Sequence, residues 1–232
     1  MQSPVETAVV LAGGEGLRLR PLTTDNPKAM VIVAGKPLLH WIIEWLKQNQ
    51  IFNVVIGVAY RKEKIIDYFG DGKQFGVRIR YSEHTVEGGT AEGFRLAISR
   101  FVDDDIFLGM NGDELVDIPI SEFVDFHRSA GGTATIAVGP LRSPYGVVEI
   151  KDNDVIGFKE KPILFSHLVS VGTYVFSREI MNYLPERGDI ERTCFPELAA
   201  ARKLKAYVHK GFWATINTIK DLEDVEKQLA GR

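Results

Sequence analysis

Between residues 5 and 138 the chain alternates short β-branched apolar runs with amphipathic stretches, and this alternation restricts the fold more than any other feature. The apolar runs predict strands over 5–12, 53–59, 77–81, 105–110 and 133–138. Between them, apolar residues at helical spacing predict helices over 37–48, 62–69, 90–101 and 120–129. Leu38, Leu39, Ile42, Ile43 and Leu46 mark the first of these, and Thr90 is the expected N-cap of the third. Repeated strand–helix units need crossover connections, so the strands lie parallel in an α/β, doubly wound sheet. Sites in such a fold sit at the carboxyl ends of the strands.

The pattern changes after about residue 140. Short strands over 145–150 and 155–159, joined by Lys151-Asp152-Asn153-Asp154, predict a hairpin. A strand over 170–176, helices over 178–184 and 190–201, a strand over 205–209 and a closing helix over 218–229 complete the chain. We expect one domain over 1–232, with a larger lobe over 1–140 and a smaller mixed lobe over 141–232. The smaller lobe is expected to pack on one edge of the sheet.

A net charge of −3 supplies no basic excess for a nucleic-acid backbone, so nucleic acid is not an expected partner. The single cysteine, Cys194, excludes a disulfide framework and a cysteine-based zinc site. The opening MQSPVETAVV lacks the features of a signal peptide, and no apolar run is long enough to span a bilayer. A cytoplasmic protein with no membrane partner is expected. The pattern specifies no oligomeric state.

Four places carry candidate chemistry. The first strand empties into Gly13-Gly14-Glu15-Gly16, followed by Arg18, Arg20 and Lys28. Such a loop can turn backbone N–H groups toward one anion, and the cations suit phosphate, although Gly-Gly also serves as a plain tight strand exit. It is neither a dinucleotide fingerprint nor a Walker loop. Asp113, after Asn111-Gly112, suits Mg²⁺, which takes one or two carboxylates with phosphate oxygens and water; a turn aspartate bonded to its own backbone is the competing reading. Glu160-Lys161 can hold a sugar hydroxyl pair and a phosphate, or be an exposed ion pair of little worth. The five histidines show no ligand spacing and are expected at the surface or in packing, and Cys194 reads as a small buried hydrophobe.

These segments, in this order, resemble the sugar-1-phosphate nucleotidyltransferase family, which includes glucose-1-phosphate thymidylyltransferases and mannose-1-phosphate guanylyltransferases. LAGGEGLRLRPLTTDNPKAM (11–30) is similar to the family opening GGxGTRLxPLT…PK, and GGTAEGFRLA (88–97) to its base-reading loop. NGDELVDI (111–118) resembles the metal-aspartate turn, and YGVVEI (145–150) with VIGFKEKP (155–162) the sugar-binding hairpin. SVGTYVF, FPELA and GFWATINTIKDL resemble NAGxYxF, FPxLA and WxDIGTxxDL. The resemblance covers nearly the whole chain.

It implies a Rossmann-like nucleotidyltransferase fold with a sugar-binding lobe, and transfer of a nucleoside monophosphate from an NTP to a sugar-1-phosphate. It assigns Arg18, Lys28 and Asp113 to catalysis. Leu11, Ala12, Gly13, Gly14, Gly16, Gly89 and Thr90 are assigned to the nucleotide, and Gly146, Glu160, Lys161 and Gly172 to the sugar phosphate. Mg²⁺ is the implied cofactor, on Asp113. Three residues depart from the family pattern: Leu17 replaces a threonine, Ser170 an asparagine, and Thr215 the second metal aspartate. Thr215 and Asn217 could then act on the metal only through water. PLTTDNPKAM and GGTA read closest to guanylyltransferases, which favours GTP. Thr215 keeps open a non-catalytic regulatory protein that binds NDP-sugar, and a cytidylyltransferase for a polyol phosphate is the third reading.

Overall fold

The computed structural model describes residues 5–230. Its strands are β1 (Thr7–Leu11), β2 (Ile32–Val33), β3 (Lys36–Pro37), β4 (Asn53–Val58), β5 (Arg78–Glu83), β6 (Ile106–Asn111), β7 (Glu114–Val116), β8 (Ala134–Arg142), β9 (Val147–Lys151), β10 (Asp154–Lys159), β11 (Ile163–Ser177), β12 (Leu204–Val208) and β13 (Trp213–Thr215). Its α-helices are α1 (Leu38–Gln48), α2 (Lys62–Phe69), α3 (Gly89–Phe101), α4 (Ile120–Ala130), α5 (Cys194–Ala200) and α6 (Ile219–Ala230).

Seven strands form the central sheet in the order β12-β8-β11-β6-β1-β4-β5. The pairs β1–β4, β1–β6, β4–β5 and β12–β8 are parallel, and β11 runs antiparallel to β6 and β8. Alternate residues of β1 enter two different cores. Ala8 and Val10 join the cluster that holds α1, α4 and α6 residues, whereas Val9 joins the one built on Phe94, Ala97, Cys194 and Leu198 of α3 and α5. A strand buried on both faces reads as a continuous apolar run, which is why it was legible. No helix among the described residues is long and apolar enough to cross a membrane.

Several sequence expectations are corrected. Thr90 is not an N-cap: α3 starts at Gly89, after Gly88. The Thr90 hydroxyl instead accepts from the Ile190 N–H at 2.9 Å, so a tertiary bond takes the group that a cap would use. The helix expected over 190–201 starts only at Cys194, because Asp189 holds the preceding turn through Arg192 and Thr193 N–H bonds. The segment expected as a helix over 178–184 is a 3₁₀ turn, Arg178–Asn182. The strand expected over 170–176 is the fifteen-residue β11. Its outer half pairs with the outer half of β8, Ile163 opposite Arg142 and Val169 opposite Gly139. The chain beyond residue 141 therefore supplies β11 and β12 to the central sheet, beside the expected β8, rather than only packing on its edge. The β9–β10 hairpin forms as expected.

Candidate active site

The site lies where β1 and β6 end. The Leu11 carbonyl accepts from the Gly112 N–H at 2.8 Å, which ties the two strand exits together. The glycine loop is pinned through its carbonyls: Gly13 accepts from Tyr60 N–H, Gly14 from Lys28 N–H, and Gly16 from Leu19 N–H and the Thr23 hydroxyl. Among the described residues, no N–H of Gly13, Gly14, Glu15 or Gly16 donates within the protein. Carbonyls turned inward with N–H groups left over make an anion cradle. Gly13 is required by close approach, since a Cβ there would lie 2.6 Å from the His84 ring.

Lys28 follows Pro27 in a 3₁₀ turn and is 9% exposed. Its ammonium forms an ion pair with Asp113 and donates to Asn217 Oδ1 at 2.7 Å. Arg18 Nη2 reaches the same amide oxygen at 3.3 Å. Asn217 Nδ2 donates to Thr215 Oγ1 at 2.9 Å. Thr215 arrives there because β13 pairs antiparallel with β7, placing it opposite Glu114. Burial, then the neighbouring Asp113, pushes the Glu114 carboxyl well above the usual range against the pull of Thr215 and Lys28.

The opposite wall is the start of α3. Gly89 has a φ of +67°, and a Cβ there would fall 2.5 Å from the Gly188 carbonyl oxygen, which accepts from Ala91 N–H. Thr90 also donates to Glu191, whose other oxygen accepts from Tyr174 at 3.3 Å. His84 packs under the glycine loop, 3.0 Å through Nδ1 from the Thr85 carbonyl, so Nδ1 carries the proton in that bond.

One cleft therefore joins Leu11, Ala12, Gly13, Gly14, Lys28, Gly89, Thr90 and Asp113, all singled out from the sequence. His84, Asn111 and Asp189 also line it and were missed. Their signal was weak: a histidine without ligand spacing, and polar residues in turns. Gly16 shapes Lys28 from behind, its φ of +65° bringing it within van der Waals contact of the lysine stem. Gly172, with a φ of +66°, sits against Glu114 and Asn111 at the side of the cleft. Gly146, Glu160 and Lys161 stand apart from the cleft at the root of the β9–β10 hairpin. Glu160 and Lys161 are 3.9 Å from each other, both largely exposed.

Outside the cleft, His127 is buried between the Thr135 and Ser177 hydroxyls at 2.8 and 2.9 Å, a packing residue as expected. Cys194 is fully buried, and burial pushes its thiol up to about 12.

The nucleotidyl transferase family model matches residues 7–232. The mannose-1-phosphate guanylyltransferase catalytic subunit beta of Dictyostelium discoideum is 35% identical over 221 residues, covering 92% of this chain and 62% of that protein. A UTP–glucose-1-phosphate uridylyltransferase of Synechocystis is 34% identical, covering 92% and 61%. This chain thus spans somewhat over three-fifths of the length of these relatives. Among solved structures, HddC from Yersinia pseudotuberculosis complexed with GMP-PN superposes with a TM-score of 0.76 at 23% identity, covering 97% of this chain and 100% of that one.

Proposed function

From the premise that this chain belongs to the nucleotidyl transferase family, we propose that it joins a nucleoside monophosphate from an NTP to a sugar-1-phosphate, releasing pyrophosphate. The observation that carries the reading is one cleft in which the glycine loop, whose N–H groups donate to no described residue, lies with Lys28 and Asp113 at the ends of β1 and β6. The loop would hold the triphosphate, and the α3 wall around Gly89 and Thr90 the base. Gly172, Glu160, Lys161 and Gly146 are the residues for the sugar phosphate, with the hairpin root as its outer edge.

The nucleophile is a phosphate oxygen of the sugar-1-phosphate, already anionic at neutral pH. No general base is needed, and no covalent intermediate forms. The oxygen attacks the α-phosphorus in line, and the bond to the β-phosphate oxygen breaks. Lys28 offsets charge on the α-phosphoryl oxygens, and Arg18 on the departing pyrophosphate. These groups are held before substrate arrives, so little reorganisation accompanies the reaction.

The donor set bears on a divalent cation. Among the described residues, no group of three or more histidine, cysteine, aspartate or glutamate side chains gathers at one point. Asp113 is the carboxylate at the strand ends, with Asp189 beside Gly89 on the opposite wall, and one carboxylate fits a Mg²⁺ carried mainly by phosphate oxygens and water. Asp113 would hold such an ion, which would supply further charge neutralisation on the triphosphate.

GTP is the favoured donor, supported by the GGTA element and by the guanylyltransferase relatives. The test is pyrophosphate release across a panel of NTPs and sugar-1-phosphates. Turnover is expected with at least one pair; complete inactivity with tight NDP-sugar binding would replace this reading by a regulatory one, which the neutral Thr215 favours.

A further inference from the structure

The α3 wall of the cleft carries a carboxylate that is held in place by its backbone rather than by its oxygens. Asp189 lines the cleft beside Val86, Gly89 and Thr90. Its Oδ1 stands 2.9 Å from the point that a Cβ on Gly89 would occupy. The bonds it receives go to the main-chain carbonyl, from the Arg192 and Thr193 N–H groups at 3.0 and 3.1 Å and the Thr193 hydroxyl at 2.8 Å. Among the described residues its carboxylate pairs with Arg192, an exposed side chain on the same turn 3.8 Å from Oδ2, and such a pair holds weakly.

The turn itself is fastened to the start of α3 on both sides of Asp189. Gly188 donates its N–H to the Gly88 carbonyl at 2.9 Å and accepts from the Ala91 N–H at 2.8 Å. Ile190 donates its N–H to Thr90 Oγ1 at 2.9 Å, and the Thr90 hydroxyl donates to Glu191 at 3.2 Å. The Thr90 hydroxyl is thus taken up in holding this turn. Val86 and Gly89 have no polar side chain, and His84 is packed under Gly13. Asp189 is the acceptor that this wall offers to a base.

A carboxylate only accepts, and its two oxygens suit two donors side by side. Among the common bases, guanine has such a pair on its Watson–Crick edge, N1–H and the 2-amino group. Uracil and thymine set one N–H between two carbonyls. Adenine and cytosine set an amino group beside a bare ring nitrogen. Each of these brings an acceptor against the carboxylate, which counts against binding.

Resting on the nucleotidyl-transfer reading above, we propose that Asp189 is the specificity-determining residue for the base, accepting from guanine N1–H and the 2-amino group. Thr90 and Gly188 are positioning residues that hold it against the α3 wall.

The test is calorimetric titration of the full chain in Mg²⁺ with GTP, ITP, XTP, ATP, CTP, UTP and dTTP. ITP lacks only the 2-amino group, and XTP carries an oxygen in its place. Wild type is expected to bind GTP about tenfold or more tighter than ITP, as loss of one charge-assisted bond implies, and tighter than the other triphosphates. Asp189→Asn keeps the shape and turns one acceptor into a donor. It should weaken GTP binding by about tenfold or more and tighten XTP binding, because the 2-oxo group accepts from the new amide. A melting curve reports folding, a misfolded variant cannot gain affinity for XTP, and the GTP–ITP comparison on wild type needs no variant. A wild type that binds GTP and ITP alike or prefers another base, or an Asp189→Asn protein with unchanged GTP and XTP affinities, overturns the inference while leaving the proposed reaction standing. A wild type that binds none of these triphosphates overturns both.

Discussion

Replacing Lys28 by methionine isolates the ammonium from the stem that carries it. The stem lies against Gly16 and is almost wholly buried, so methionine fills the same space. What disappears is one charge at the mouth of the glycine loop. A hydrogen bond from a charged group contributes about 1.5–3 kcal/mol. At about 1.4 kcal/mol per decade, kcat/KM should fall by about 10- to 150-fold. The variant also leaves Asp113 without its partner. The Asp113 side chain is 28% exposed, so water can take over much of its solvation, and the stability loss should stay under about 2 kcal/mol. The assay is steady-state pyrophosphate release with both substrates varied, alongside urea unfolding. Lys28→Arg keeps the charge but not the compact ammonium and should fall between the two. A methionine variant that folds normally and keeps kcat/KM within about threefold would refute the assignment of Lys28 to the triphosphate.

Asp113→Ala should cut turnover by about 10²–10³-fold with little change in melting temperature, as loss of a preorganised charged group does; unchanged kinetics would put the divalent ion elsewhere. Gly89→Ala forces a side chain onto a φ of +67° and into the Gly188 carbonyl, so it should cost about 1–3 kcal/mol of stability and weaken nucleotide binding, read by melting and titration. Burial, then Arg128, lowers the His127 pKa to about 4 from 6.5. The unfolded chain therefore takes up the proton first, and stability present above about pH 6.5 is lost as pH falls toward 4, by about 2–3 kcal/mol at pH 4.5. Urea midpoints at pH 7 and 4.5 check this, and His127→Gln should flatten the difference.

The parallel half of the sheet was legible because burial on both faces leaves a plain signal, as Val9 and Val10 facing different cores illustrate. The glycine loop, Lys28 and Asp113 were legible as residue types whose placement at strand ends follows from that topology. What escaped was short or tertiary. β7 and β13 have three residues each, too few for periodicity, yet their pairing sets Thr215 opposite Glu114. Thr90 had the look of a cap and is used by a residue a hundred positions away. The outer halves of β8 and β11 carry mixed polarity because they reach beyond the packed helices, so their strand character lies in each other's backbone rather than in their own side chains.

β11 has a mechanical consequence for the proposed chemistry. Its inner end is bonded on both edges, to β6 and β8, and its outer end runs to the hairpin root. A single fifteen-residue strand therefore passes from beneath the nucleotide cleft to the side assigned to the sugar phosphate, carrying Gly172 midway. Enzymes that clamp two substrates by swinging two bodies together need a flexible joint between them. Here the joint is a strand whose pairing with β8 is irregular at only two places, between Leu164 and Leu168 and between Ser170 and Tyr174, the second holding Gly172, so any bending between the two sides is confined to those points. The glycine loop is pinned through its carbonyls, so closure over the substrates falls to the β9–β10 ribbon, which forms a two-stranded sheet of its own.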